Sequence, residues 1–453
     1  MVSEGRSYLT RSQARYDVLQ VSLIDSWAAT AAGAFALSEN YLYTTEAIQL
    51  YLDHLTPDGV LSISRWIGGN HQLESARLAL MLTQALRLRE VSRPETHLYV
   101  ARAWDIATFL TSQRPLSVDQ LKRLDHVCKT RGFERYWPPE PNGPKNSVAI
   151  VLTEGPEAYQ DAGFNIEPAT DDRPFFFQTA SLFKSIDRTY LEKLSPNEHS
   201  VSVLRILLGV VSVLAVGLFL LPLLRLPLVL PVTGFGRASA YFFAIGLGFM
   251  LVEMPWVQKF VLYLGHPSYA TTVVLSILLL GAGAGSALAV RVPVAYVARW
   301  FFVLPVGVGA VHCALGPVYS ATLGWPVAAR VVVTATLLAP AGCLMGFGFP
   351  TGMAAFDERG RPWFWAMNGM ASVLASVASL AVAMVLGLSN AVWCGLGFYV
   401  VAGGLLWLEA NRSRARGVGS EGPAAKRARL SQPSNGRNVA TAMPPAVRTA
   451  TAS

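Results

Sequence analysis

The stretch Tyr16–Phe35, YDVLQVSLIDSWAATAAGAF, begins as a strand and turns into a run of small residues behind an aspartate. YDVLQVS, Tyr16 to Ser22, is short, apolar and β-branched, the composition of a buried parallel strand. Asp25 follows at once, ahead of Ser-Trp-Ala-Ala, where it can cap a helix or face an active site at the strand's end. Trp27 reads as packing in preference to a substrate contact.

Downstream, TTEAIQLYLDHL (Thr44 to Leu55) places Ala47, Ile48, Tyr51, Leu52 and Leu55 on one helical face. Asp58-Gly59 turns the chain into a second strand, GVLSISRW. A long amphipathic helix from Gln72 to about Glu90 closes at Ser92-Arg93-Pro94. HLYVARA (97 to 103) and DIATFLTS (105 to 112) are joined so tightly that they predict an antiparallel hairpin. Strand, helix, strand, helix, hairpin belongs to an α/β sheet that starts parallel and ends with an antiparallel edge, as the second half of a class I methyltransferase-like, Rossmann-like sheet does. No strand followed by a GxGxG turn occurs before residue 200.

The chain is 52% hydrophobic and only 15% charged, too apolar for an ordinary soluble enzyme. The charges concentrate in residues 1–200, a soluble domain. Residues 201–410 carry apolar runs near 204–224, 240–262, 269–290, 299–318, 328–349, 364–387 and 390–408, each long enough to cross a bilayer core of about 30 Å. Seven spans are expected, in a multi-pass protein of a bacterial-type cytoplasmic membrane. Residues 411–453 hold eight Arg or Lys against one Glu, nearly all of the net +8. Without large apolar residues this tail predicts disorder near lipid headgroups, and without interleaved aromatic residues it does not suggest nucleic-acid binding.

Four cysteines and seven histidines are widely dispersed, which speaks against a disulfide framework and against a metal centre. The first residues, MVSEGRSYLTRSQARYD, lack the apolar core of a cleavable signal peptide. Gly281-Ala-Gly-Ala-Gly285 has nucleotide-loop spacing but ends an apolar run, so it reads as a close helix-packing seam. Glu253 lies mid-span beside Pro255, which makes it an intramembrane candidate either for a cation path or for a packing role. Arg225, Arg237, Arg291, Arg299, Arg359 and Arg361 follow spans one, three and five, on the side of the tail. By the positive-inside rule that side is cytoplasmic, which would turn the soluble domain outward.

Four stretches together resemble the membrane-integrated relatives of spermidine synthase: residues 16–47, ATDDRPFFF (169–177), FFAIGLGFMLVEMPWVQKFVLYLGHPSYA (242–270) and PWFWAMNGMASVLAS (362–376). The resemblance spans everything except the tail. It implies aminopropyl transfer from decarboxylated S-adenosylmethionine to an amine, in a family whose fold also accommodates S-adenosylmethionine. It further implies that the cofactor-binding front part is not in this sequence, which reads as truncated or catalytically degenerate.

In that family the strand matching YDVLQVS ends in a D-S-S-D-P type motif. Its first aspartate, the base, falls on Ser22, whose neutral hydroxyl cannot replace a carboxylate. Its second, which helps hold the diamine, falls on Asp25, the remaining catalytic and substrate-binding candidate. The resemblance places Glu39, Tyr41 and Tyr43 in the amine pocket and Glu4 against the adenine. Asp171 and Asp172 can attract a polyamine or another small amine, or form an ion-paired turn whose phenylalanines dock on the sheet or the bilayer. The expected partners are thus the lipid bilayer, a small amine and a chain covering the open edge of the half-sheet. A non-catalytic membrane protein that binds or moves a cation is the alternative.

Overall fold

The structure, a computed structural model, describes residues 5–23, 39–67, 72–140, 143, 145–160, 163–184, 196–215, 217 and 234–415. A short helix α1 (Gly5–Arg11) leads into β1 (Tyr16–Ser22). Helix α2 (Thr45–Asp53) starts at Thr44, whose hydroxyl accepts from the Ala47 N–H at 3.1 Å. It returns the chain to β2 (Leu55–Trp66), which pairs with β1 in parallel, Val18 opposite Val60 and Ser22 opposite Ser64.

Helix α3 (Gln72–Arg87) precedes the expected hairpin, β3 (Leu98–Ala103) and β4 (Ile106–Ser112), closed by Trp104-Asp105. Then come α4 (Val118–Arg131), β5 (Glu134–Trp137) and α5 (Ser147–Glu154). The sheet order is β1-β2-β4-β3-β5. Because β4 is antiparallel to both β2 and β3, β3 runs in the direction of β2. The domain is a small mixed sheet with helices, parallel at one end and antiparallel at the other.

Two expectations need correction. Asp58-Gly59 does not start β2 but lies within it, where the register with β1 shifts between Tyr16 and Val18. The backbones approach so closely there that a Cβ on Gly59 would sit 2.8 Å from the Tyr16 carbonyl oxygen. The strand β1 is also not buried: Val18 is 63% exposed. As the terminal strand, with β2 its sole partner among the described residues, it keeps a free edge.

The aromatic run after Asp172 closes the domain core. Phe175, Phe176 and Phe177 are buried, and the Arg65 guanidinium lies 5.2 Å and 4.8 Å from the Phe176 and Phe177 rings while pairing with Glu74. Arg77 donates to the Phe175 and Phe176 carbonyls at 3.0 and 2.6 Å and to that of Asn165. Burial lowers its pKa to about 10, which still leaves it charged near neutrality.

Helix α6 (Pro196–Ala215) leaves this domain, with Arg205 bonded to the Leu182 carbonyl at 2.7 Å. A helical bundle follows: α7 (Phe235–Leu264), α8 (Pro267–Ala289), α9 (Val294–Trp300), α10 (Val303–Thr322), α11 (Val327–Gly346), α12 (Gly348–Ala355), α13 (Arg361–Leu386) and α14 (Leu388–Ala415). Six candidate spans are long and apolar enough to cross a membrane: α7, α8, α10, α11 with α12, α13 and α14. This is the organisation of a multi-pass membrane protein. Seven spans were expected; the first run begins in α6, and most of its remainder, like the tail beyond Ala415, lies outside the described residues.

Gly281 to Gly285 forms the packing seam that its spacing suggests. A Cβ on Gly285 would lie 1.9 Å from the Cys343 carbonyl oxygen, and one on Gly346 2.1 Å from that of Ala282, so the backbones of α8 and α11 touch. Gly283, on the outer face, has nothing within 4 Å of its position. Gly285→Ala should therefore cost about 3 kcal/mol or more by overpacking. Gly283→Ala should be neutral, and the midpoints of thermal unfolding of the two variants in detergent check the contrast.

The bundle has two distinct ends. At one, Arg237 of α7 pairs with Glu409 of α14 at 2.9 Å, and Tyr241 donates to the Gly348 carbonyl at 2.6 Å. At the other, Tyr263 meets Thr322 at 2.7 Å, and the sheet domain docks. The basic tail therefore leaves from the end opposite the sheet.

Candidate functional site

Asp171 and Asp172 stand back to back at the joint between sheet and bundle, and each faces a different partner set. Asp171 takes both Arg6 nitrogens, at 2.7 and 2.5 Å, and the Thr44 hydroxyl at 2.8 Å. Burial alone would lower the Arg6 pKa, but the Asp171 hydrogen bonds and charge outweigh it and raise it. Asp172 turns to the bundle: its Oδ1 accepts from Lys259 Nζ at 2.8 Å and from the Ser389 hydroxyl and N–H at 2.6 and 2.9 Å. Its carbonyl accepts from the Leu388 N–H at 2.8 Å, so one residue caps the start of α14 twice.

The backbone allows this because Gly387 adopts φ +98°, and a Cβ there would lie 2.2 Å from Asp172 Oδ2. Burial tends to raise the Asp172 pKa, yet the hydrogen bonds from Lys259 and Ser389 prevail and hold it below the ordinary aspartate value. The ion-paired turn foreseen for Asp-Asp-Arg is what forms. Its phenylalanines dock on the sheet.

A cavity of about 390 Å³ lies beside this joint. The sheet domain contributes Tyr41, Glu46, Asp171 and Asp172, while α7 and α14 contribute Lys259 and Ser389. Helix α10 supplies His312, Leu315 and Tyr319. The volume is in the range of small-molecule sites.

Glu46 accepts from the Asp171 N–H at 3.0 Å, and burial, followed by the Asp171 charge, raises its pKa above the ordinary glutamate range. Tyr41 donates to the Gln258 carbonyl at 2.7 Å, and burial together with the Glu39 charge pushes its phenol well up. Glu39 is itself raised by burial, against a hydrogen bond from the Gln258 side chain. With Glu46 ionised, the three lining carboxylates, Glu46, Asp171 and Asp172, outnumber the cations paired with them, Arg6 and Lys259.

On the bundle wall, Trp256 Nε1 donates to His312 Nδ1 at 3.2 Å. An indole N–H can only donate, so a neutral His312 carries its proton on Nε2. His312 is 9% exposed, and its Nε2 has no partner among the described residues. The Tyr319 hydroxyl, in a ring stacked on Tyr263 at 4.3 Å, is buried and likewise unpartnered among them.

The sequence candidates thus separate. Tyr41, Asp171 and Asp172 meet at the cavity, and Glu39 is not among its lining residues. Tyr43 does not line it: its ring stacks on Phe176 at 4.7 Å in the domain core, so it is a packing residue. Glu253 is buried at 3% exposure on α7, has no hydrogen-bond or ion-pair partner among the described residues, and is not part of this cavity. Glu4, Asp25 and Trp27 lie outside the described residues; Ser22 is exposed at the end of β1.

The sequence reading missed Arg6, Glu46, Lys259, His312, Tyr319 and Ser389. Lys259, beside Gln258 and near the end of an apolar run, carried a usable signal, whereas His312 looked like one of seven scattered histidines. No three His, Cys, Asp or Glu side chains among the described residues are placed to hold a metal ion.

Compared with known proteins, the chain matches no family model, no curated protein and no solved structure.

Proposed function

We propose that this chain is a membrane-integrated, spermidine synthase-like protein that binds a small organic amine where its sheet domain meets its helical bundle. The observation that carries this reading is the junction cavity, whose sheet wall brings Glu46, Asp171 and Asp172 together. An ammonium beside Glu46 restores the ionised form that burial opposes, so the site gains most from a cation. The protein acts in this reading as an amine-binding membrane protein, without a transfer reaction.

Amine titration by calorimetry of the full chain in detergent tests it. Putrescine should bind, and affinity should rise as pH is raised through the elevated Glu46 pKa, because the protonated acid attracts no cation. Glu46→Gln should weaken binding about tenfold, a loss near 1.4 kcal/mol, and flatten that pH dependence. Binding that is indifferent to both would refute the reading.

A second reading, aminopropyl transfer from decarboxylated S-adenosylmethionine, is favoured by the free edge of β1. In it, a preceding segment or a partner chain pairs with β1 and brings the cofactor-binding strands, and Asp25 is the amine ligand beside them. Crosslinking from a cysteine at Val18, followed by mass spectrometry of the adduct, would find that strand or leave the edge bare.

A further inference from the structure

We propose that the junction cavity selects zwitterions, amines carrying a carboxylate a few bonds away, over diamines. This rests on the amine-binding reading above and names its substrate class. The two walls differ in hydrogen-bonding sense. The sheet wall presents acceptors, Glu46 and Asp172. The bundle wall presents donors: the Lys259 ammonium, the His312 Nε2–H fixed by Trp256, and the Tyr319 hydroxyl.

Neither the His312 Nε2–H nor the Tyr319 hydroxyl has a partner among the described residues, and the Tyr319 hydroxyl is fully buried, a costly state that a bound acceptor would relieve. A diamine would satisfy the acids but set its second ammonium against Lys259 and an imidazole N–H. A carboxylate at that end accepts from all three. Charge complementarity thus runs across the cavity, and the ligand is held with its amine toward the sheet and its carboxylate toward α10.

Matched four-carbon probes on the full chain in detergent decide the matter: putrescine, γ-aminobutyrate and butyrate. γ-Aminobutyrate should bind at least about tenfold more tightly than either of the others. His312→Phe should weaken γ-aminobutyrate about tenfold and abolish its advantage over putrescine. Tyr319→Phe, which removes one oxygen and keeps the stacked ring, should weaken γ-aminobutyrate severalfold and narrow its advantage over putrescine.

Putrescine binding as tightly as γ-aminobutyrate would overturn the proposal and leave the amine site standing. Butyrate matching γ-aminobutyrate would overturn it by showing that the amine end goes unread. Absence of binding by all three would sink both readings.

Discussion

A cysteine placed at Val118 should react with a membrane-impermeant maleimide in intact cells, whereas one placed at Ser420 in the tail should react only after the membrane is opened. The expectation follows from where the arginines lie. Arg237, Arg291, Arg299, Arg359, Arg361, Arg412 and Arg414 flank helix ends on the tail side of the bundle. At the sheet end, the connections around Gly265, Gly324 and Gly387 contain no Lys or Arg.

The cations near that end, Lys259 and Arg330, lie inside helices and are engaged, with Asp172 and with the Tyr263 carbonyl. Basic residues in short connections set orientation, while long domains translocate largely regardless of their own charge. The sheet domain then faces away from the cytoplasm, where a ligand arrives from outside and S-adenosylmethionine is not expected. Labelling at Val118, 67% exposed on α4, reads the domain directly. The reverse pattern would place the cavity on the cytoplasmic face and return weight to aminopropyl transfer.

The sheet was legible from Tyr16 to Ser112 because its signals are local. A two-residue link between two β-rich runs can only form a hairpin, and Thr44 before an apolar helical stripe marks a start. The exposure of β1 was not legible, since an apolar β-branched run reads the same whether or not a neighbour covers it. The spans were legible by length, and the small-residue seam of α8 by spacing.

The site was not legible, because its halves lie far apart in the chain and few of its members form a motif. Asp171 and Asp172 attracted notice as adjacent acids, but their division of labour depends on a φ of +98° at Gly387, more than two hundred residues later. Tyr43 was misplaced for the same reason. Its neighbours Phe176 and Phe177 are distant in sequence, so nothing local separates a pocket tyrosine from a core one.

Asp172→Ala should uncouple sheet from bundle and cost about 2–4 kcal/mol, the sum of a helix cap and of hydrogen bonds to a charged group. The alanine keeps the carbonyl that accepts from Leu388 but loses the carboxylate that Ser389 and Lys259 share. Lys259 is left in a largely enclosed place with its ammonium unpaired, so the damage exceeds that of an exposed ion pair. Asp172→Asn separates the parts: its amide oxygen still caps Ser389, and only the charge is lost, so it should retain part of the stability. The pH dependence has a definite sign. Because the folded-state pKa of Asp172 lies below its ordinary value, the stability it supplies is complete above that ordinary value and is lost as pH falls through the folded one. Thermal unfolding of the three proteins in detergent between neutral and acid pH should therefore show the wild type converging on Asp172→Ala in acid. If the two stay equally far apart at every pH, Asp172 contributes through packing and not through its charge.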